Sequence, residues 1–168
     1  MEDKTKNWFV KTAIWFICKV RYEKVGEDGL QKKTTESYVV DAISFGEAEA
    51  RITEEMASYV SGDFEIVDIS RAVFKEIFFG GGETADRWYN AKLEFITIDE
   101  KTEKEKRSAV VYLVNVGTFD EALKNVKAVM SDTMLDYVTA KIEETKIMDV
   151  FEHTAEPKVS DTDDADKE

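Results

Sequence analysis

The residues able to do covalent or acid–base chemistry in this chain are few and scattered. There is one histidine, His153, and one cysteine, Cys18. His153 sits at the edge of the acidic stretch EHTAEPKVSDTDDADKE, where no packed surrounding is expected to hold an imidazole within reach of a nucleophile. Cys18 falls on the apolar side of an alternating run, where a thiol behaves as a small inert hydrophobe. A single cysteine also excludes an intramolecular disulfide framework and a cysteine-rich zinc site. Gly80-Gly81-Gly82 is followed by neither Lys-Ser/Thr nor a helix start, so it reads as a turn and not as a phosphate loop. Glu47, Glu49, Glu54 and Glu55 gather no histidine or second carboxylate cluster, as expected of a solvated helix face. Asp99 and Glu100 solvate a charged hairpin tip. DTDDADKE lacks the glycine and closing glutamate of a calcium loop. The chain reads as non-enzymatic, with no cofactor and no metal.

Binding chemistry is better represented. In WFICKVRY, Trp15, Ile17, Lys19 and Arg21 share one face. In WYNAKLEF the same face carries Trp88, Asn90, Lys92 and Glu94. Rings interleaved with cations on an open sheet suit single-stranded nucleic acid: bases stack on the rings, at about 1–3 kcal/mol each, and phosphates meet Lys or Arg. Trp15, Lys19, Arg21, Trp88 and Lys92 are therefore the candidate nucleic-acid-binding residues. The competing reading places both indoles at a seam between two halves, where large rings dominate interface energetics. Trp8-Phe9, just upstream, carries the same ambiguity.

The elements that must position these residues are written twice. With Trp15 over Trp88 the offset is 73, and Lys19 meets Lys92, Val20 meets Leu93 and Tyr22 meets Phe95. YVVDAISFGEAEARI lies over YLVNVGTFDEALKNV at offset 74, and DFEIVDI over DYVTAKI at 73 again. EIF from Glu76 meets DVF from Asp149. Self-similarity in three ordered blocks marks an internal duplication. Alternation in WFICKVRY and WYNAKLEF predicts strands. EKVGEDGLQKKTTE reads as a hairpin loop, and SYVVDAI as the returning strand. Ser44-Phe45-Gly46-Glu47 and Thr118-Phe119-Asp120-Glu121 fit the S/T-x-x-E capping box. Behind them, Ala48, Ile52 and Met56, and Ala122, Val126 and Met130, recur at helical spacing. DFEIVDISRAVFKEIFF predicts one bent strand or two, with the bend near Ser70 and Arg71. The expected fold is α+β: a tandem duplication of a β-β-α-β(-β) unit, with two helices packed on antiparallel sheet and a pseudo-twofold relating the halves. A unit of about 65 residues is marginal alone, so two covering each other is the economical arrangement.

This divides the chain into a lead-in (1–14), a first repeat (15–79), an inter-repeat turn (80–87), a second repeat (88–151) and an acidic tail (152–168) expected to be disordered. Of the net charge of −13, the tail holds seven acidic and two basic residues, so about −8 remains on the rest. Such a field repels duplex DNA and anionic membranes and favours basic partners. No secretory signal and no run of about 18 apolar residues is present. The expectation is a cytoplasmic protein, either a monomer with pseudo-dimer symmetry or a homodimer. Its partner is expected to be single-stranded nucleic acid or a basic host or phage protein, and not a membrane.

The ordered motifs WFICKVRYEK…DGLQKK, EIFF and ITIDEK resemble an uncharacterised family of short proteins from gut bacteria and their phages and mobile elements. The resemblance spans roughly residues 13 to 151. It transfers no catalytic residue, and implies a phage or mobile-element accessory, such as a replication factor or a host-defence antagonist. Framed from Phe64, the order β-β-β-β-α is also similar in topology to the repeats of Pur and Whirly single-strand binders.

Overall fold

The computed structural model describes residues 14–80 and 82–153. Its elements are β1 (Ile14–Val25), β2 (Gln31–Ala42), α1 (Phe45–Tyr59), β3 (Phe64–Arg71), β4 (Glu76–Phe79), β5 (Arg87–Ile98), β6 (Glu105–Val116), α2 (Phe119–Val129), β7 (Asp136–Glu144) and β8 (Ile147–Phe151). The fold is α+β, and both halves follow one order: hairpin, helix, strand, short strand. The extended segment after α1 is two strands, parted just beyond Arg71.

The hairpins run longer than their composition suggests. Strand pairing continues through Tyr22–Thr34, Glu23–Lys33 and Lys24–Lys32 to Val25–Gln31, although the stretch from Glu23 to Glu36 reads as loop. Cross-strand pairs such as Glu23–Lys33 support a strand whose faces are both solvated. The turn itself is short, and Gly29 takes a positive φ of 78° there, which costs a glycine nothing.

Each helix starts as its sequence dictates. Ser44 Oγ accepts the Glu47 amide at 3.1 Å and Thr118 Oγ1 accepts the Glu121 amide at 3.2 Å. Such a cap contributes about 1 kcal/mol. The Glu121 carboxylate reaches back to the Gly117 amide at 2.8 Å, whereas Glu47 turns to Arg51 at 2.5 Å.

The sheets depart from the simple expectation in one respect. Their strand orders are β3-β1-β2-β8 and β4-β6-β5-β7, so the last strand of each half lies in the sheet of the other. Both exchanged strands pair parallel: Tyr38 with Asp149 and Val40 with Phe151 in one sheet, Tyr112 with Glu76 and Val114 with Phe78 in the other. The sheets are therefore mixed, not antiparallel throughout. The cause is steric and topological: a short linker after β3 or β7 leaves the chain at the seam, where the neighbouring sheet offers an open edge.

Three cores follow. One lies under α1, where Phe16, Cys18, Val20, Tyr38, Val40, Ile52 and Met56 are joined by Phe151 from the other half. Its twin under α2 gathers Tyr89, Ala91, Leu93, Val114 and Val126, with Phe78 from the first half against it. Phe151 stacks on Tyr38 at 5.7 Å, as Phe78 stacks on Tyr112 at 4.7 Å. The third core is the seam, built on Val39, Leu113, Phe74 and Trp88. Neither half owns a complete core. Phe151→Ala is expected to lose about 3–5 kcal/mol and to loosen the α1 amides in the opposite half. Hydrogen exchange in α1 that stays unchanged in this variant would count against the shared core.

Candidate functional site

Alternation in β1 and β5 sends Phe16, Cys18 and Val20, and Tyr89, Ala91 and Leu93, under the helices. The opposite faces carry all five sequence-predicted residues, and the structure divides them. Trp88 is 6% exposed in the seam core, with the Phe79 ring edge-on at 5.9 Å. Trp15 is half-buried against the same core, together with Ile17. The two indoles occupy matching places. The carbonyl of Trp15 accepts the Ala72 amide at 2.9 Å, and that of Trp88 accepts the Thr145 amide at 2.8 Å. As placed, the Trp88 ring offers no face on which a base could stack.

Lys19, Arg21 and Lys92 are exposed beyond the seam. Arg21 donates to Glu65 at 2.9 Å, and this contact holds the Glu65 carboxyl below its ordinary range. Lys19 lies opposite Asp68 in register. Lys92 lies opposite Lys141, which itself contacts Glu143 at 2.8 Å. Nearby, Arg107 bridges to Glu94 at 3.2 Å. The open faces are thus mosaics of both signs, and the groove of about 490 Å³ beside Arg21 is lined by Glu23, Lys33, Asp63 and Glu65 as well.

The main polar assembly was missed by sequence reasoning. His153 was expected to be free at the edge of the tail, but it is clamped at the end of β8. Its amide donates to Asp41 Oδ1 at 2.8 Å and its Nε2 lies 2.9 Å from Glu55 Oε1. Asp41, 2% exposed, also accepts from Arg51 Nη1 at 3.3 Å, and Arg51 binds the Asp41 carbonyl and Glu47 too. Strand exchange places His153 there, because β8 runs parallel to β2 and ends beside Asp41. One signal was available: an aspartate inside the apolar run YVVDAI needs a buried partner. The second half has Asn115, Asn125, Val129 and Gly80 at the matching places, so the clamp exists once.

A second buried carboxylate, Glu36, accepts hydroxyl donors from Tyr38 at 2.6 Å and Tyr22 at 2.9 Å, with Lys24 at 3.6 Å. Burial and the Glu36 contact push both tyrosines above their ordinary pKa. The second half has Phe95, Val110 and Tyr112 there.

Among the described residues no three His, Cys, Asp or Glu side chains are grouped to hold a metal ion. No described helix is long and apolar enough to cross a membrane. Burial, with the nearby Asp68 charge, pushes the Cys18 thiol up to about 12.

The family model described as a domain of unknown function (DUF4494) matches residues 14–153. The chain belongs to this family. No curated protein and no solved structure matches it. The match begins at β1 and ends on His153, so it takes in both exchanged strands and the clamp that closes the second.

Two outcomes test this geometry. Cys18 is expected to stay unreactive toward an aromatic disulfide reagent at pH 8 and to react only on unfolding in urea, because the thiolate is the reactive form. Asp41→Ala is expected to cost about 3–5 kcal/mol, as breaking a buried ionic contact does, read from urea denaturation.

Proposed function

We propose that this family member is a non-enzymatic accessory protein that engages a basic protein partner through its acidic surface. The phage or mobile-element setting comes from the sequence resemblance, and host-defence antagonism or replication assembly are the roles it suggests. The observation that carries the reading is the state of the open sheet faces. Their cations Arg21 and Arg107 are matched by Glu65 and Glu94, while the chain as a whole keeps an excess of acid, at −13. Charge of that size steers a positive partner into encounter and raises the association rate more than the final affinity.

Single-stranded nucleic acid is the second reading, and specific features favour it: the half-exposed Trp15 and the adjacent, outward Lys92 and Lys141. The Pur- and Whirly-like repeat order belongs with it. Weighing against it are the buried ring of Trp88 and the carboxylates set among the cations.

One pair of measurements separates the two. Fluorescence anisotropy with labelled single-stranded oligonucleotides at low salt is expected to show no binding at micromolar protein. Pull-down from bacterial lysate is expected to recover a basic protein whose yield falls as salt rises. Oligonucleotide binding that is lost in Trp15→Ala or Lys92→Ala would reverse the order of the readings, and a salt-indifferent partner would remove the acidic one.

A further inference from the structure

In the second half, the segment leading into β5 lies across the end of β6. Asn115 Nδ2 donates to the carbonyls of Ala85 and Arg87 at 3.2 and 3.0 Å. A Cβ on Gly117 would come within 2.6 Å of the Thr84 carbonyl oxygen. Gly117 is required there because a backbone passes directly over it.

The matching surface of the first half is built of different residues. Ile43 stands in the place of Gly117, Ile14 in that of Arg87, and Val73 in that of Lys146. They are 65, 36 and 69% exposed, and Phe45 beside them is 48% exposed. Register brings them together: Ile14 pairs with Ala42, next to Ile43, and the Ala72 amide, next to Val73, donates to the Trp15 carbonyl. Phe45 joins them through Phe16, at 5.0 Å between ring centroids. Where the second half has the Arg87–Glu144 ion pair at 3.9 Å, the first has Ile14 and Arg71, whose guanidinium lies over the Phe45 ring at 5.9 Å.

The lead-in differs in the complementary sense. At the offset of the repeat, Trp8, Phe9 and Val10 stand where the second half has Gly81, Gly82 and Glu83. Ile14, Ile43 and Val73 are apolar, like the lead-in, where their counterparts are polar or glycine; only Phe45 is matched, by Phe119, which is 50% exposed. Residues 1–13 lie outside the described residues. We propose that the patch formed by Ile14, Ile43, Phe45 and Val73 is the docking site of the chain's own N-terminal segment, through Trp8, Phe9 and Val10.

The geometry sets the terms. Three residues lie between Val10 and Ile14, and the four steps span at most about 14 Å, so the tether keeps the segment within reach of the patch. The Ile43 side chain holds a crossing backbone higher than Gly117 does, and aromatic rings fill the space beneath. The Asp41 side chain has no N–H to donate where Asn115 Nδ2 does, so apolar contact replaces the hydrogen bonds that fix the second lead-in. Docking covers apolar surface of the kind that otherwise recruits another protein.

Paired cysteines in the full chain test this. Phe9→Cys with Ile43→Cys is expected to give an intramolecular disulfide under mild oxidation, seen as a mobility shift on a non-reducing gel. Phe9→Cys with Ile98→Cys, at the tip of the second hairpin and 69% exposed, is expected to give none. No disulfide in the first pair, or equal disulfide in both, overturns the proposal. A disulfide-linked dimer through Ile43→Cys also overturns it, by showing a second copy on the patch. Circular dichroism checks folding of each variant. Independently, deletion of residues 1–10 is expected to raise the fluorescence of an apolar dye, and Ile43→Ser with Val73→Ser to abolish the rise; no rise on deletion overturns the proposal as well.

Discussion

The reciprocal exchange of β4 and β8 is the constraint on which the rest of the molecule depends. A strand alternates its side chains between two faces, and each exchanged strand uses both. Phe151 enters the core under α1 while Val150 faces the seam; Phe78 packs against the core under α2 while Ile77 faces the seam. Removing either strand opens two cores at once. The seam is sealed by the same residues that register the parallel pairs, with Val39 beside Val150 and Leu113 beside Ile77. The backbone of one half is therefore a structural part of the other. That is why a repeat too small to stand alone can be used twice in a stable chain.

On this symmetric frame, the two halves diverge where side chains are polar. The clamp of Asp41, Arg51, Glu55 and His153 has as its counterpart Asn115, Asn125, Val129 and Gly80. In the second half the Gly80 amide donates to the Asn115 carbonyl at 3.4 Å, and a Cβ on Gly80 would meet Asn125 Nδ2 at 1.8 Å. Buried ionic assemblies add little net stability over apolar packing, but they penalise misplacement strongly. Their presence in one half fits a role in fixing the end of β8. The Glu36 network under the first hairpin follows the same rule, since its apolar twin shows that the fold needs no carboxylate there.

Electrostatics link this frame to binding. The faces that alternation turns away from the helices are apolar at the seam and charged beyond it. Several charges there are paired with neighbours of opposite sign, such as Arg21 with Glu65, and such pairs in exposed positions contribute little to stability. They do set what the surface attracts. A mosaic of matched charges leaves the long-range field to the unmatched carboxylates elsewhere.

Much of this was legible in the residues themselves. The repeat offset, the two capping boxes and the alternation of WFICKVRY identify the duplicated α+β unit, because caps and periodicity are local rules that a short segment obeys by itself. The hairpin arms were underestimated, since charged cross-strand pairs such as Glu23 and Lys33 look like loop in composition. Alternation put Trp15 and Trp88 on one face, but a period of two cannot say whether that face meets solvent or another sheet. The strand exchange had no local signature, and the clamp on His153 left only the aspartate within YVVDAI, since both depend on contacts between segments well separated in the sequence. The sequence by itself determined the units and their internal order. Only tertiary structure decided which sheet each fourth strand completes, and with it the burial of Trp88, because an edge strand's backbone donors and acceptors can pair with any open edge within reach.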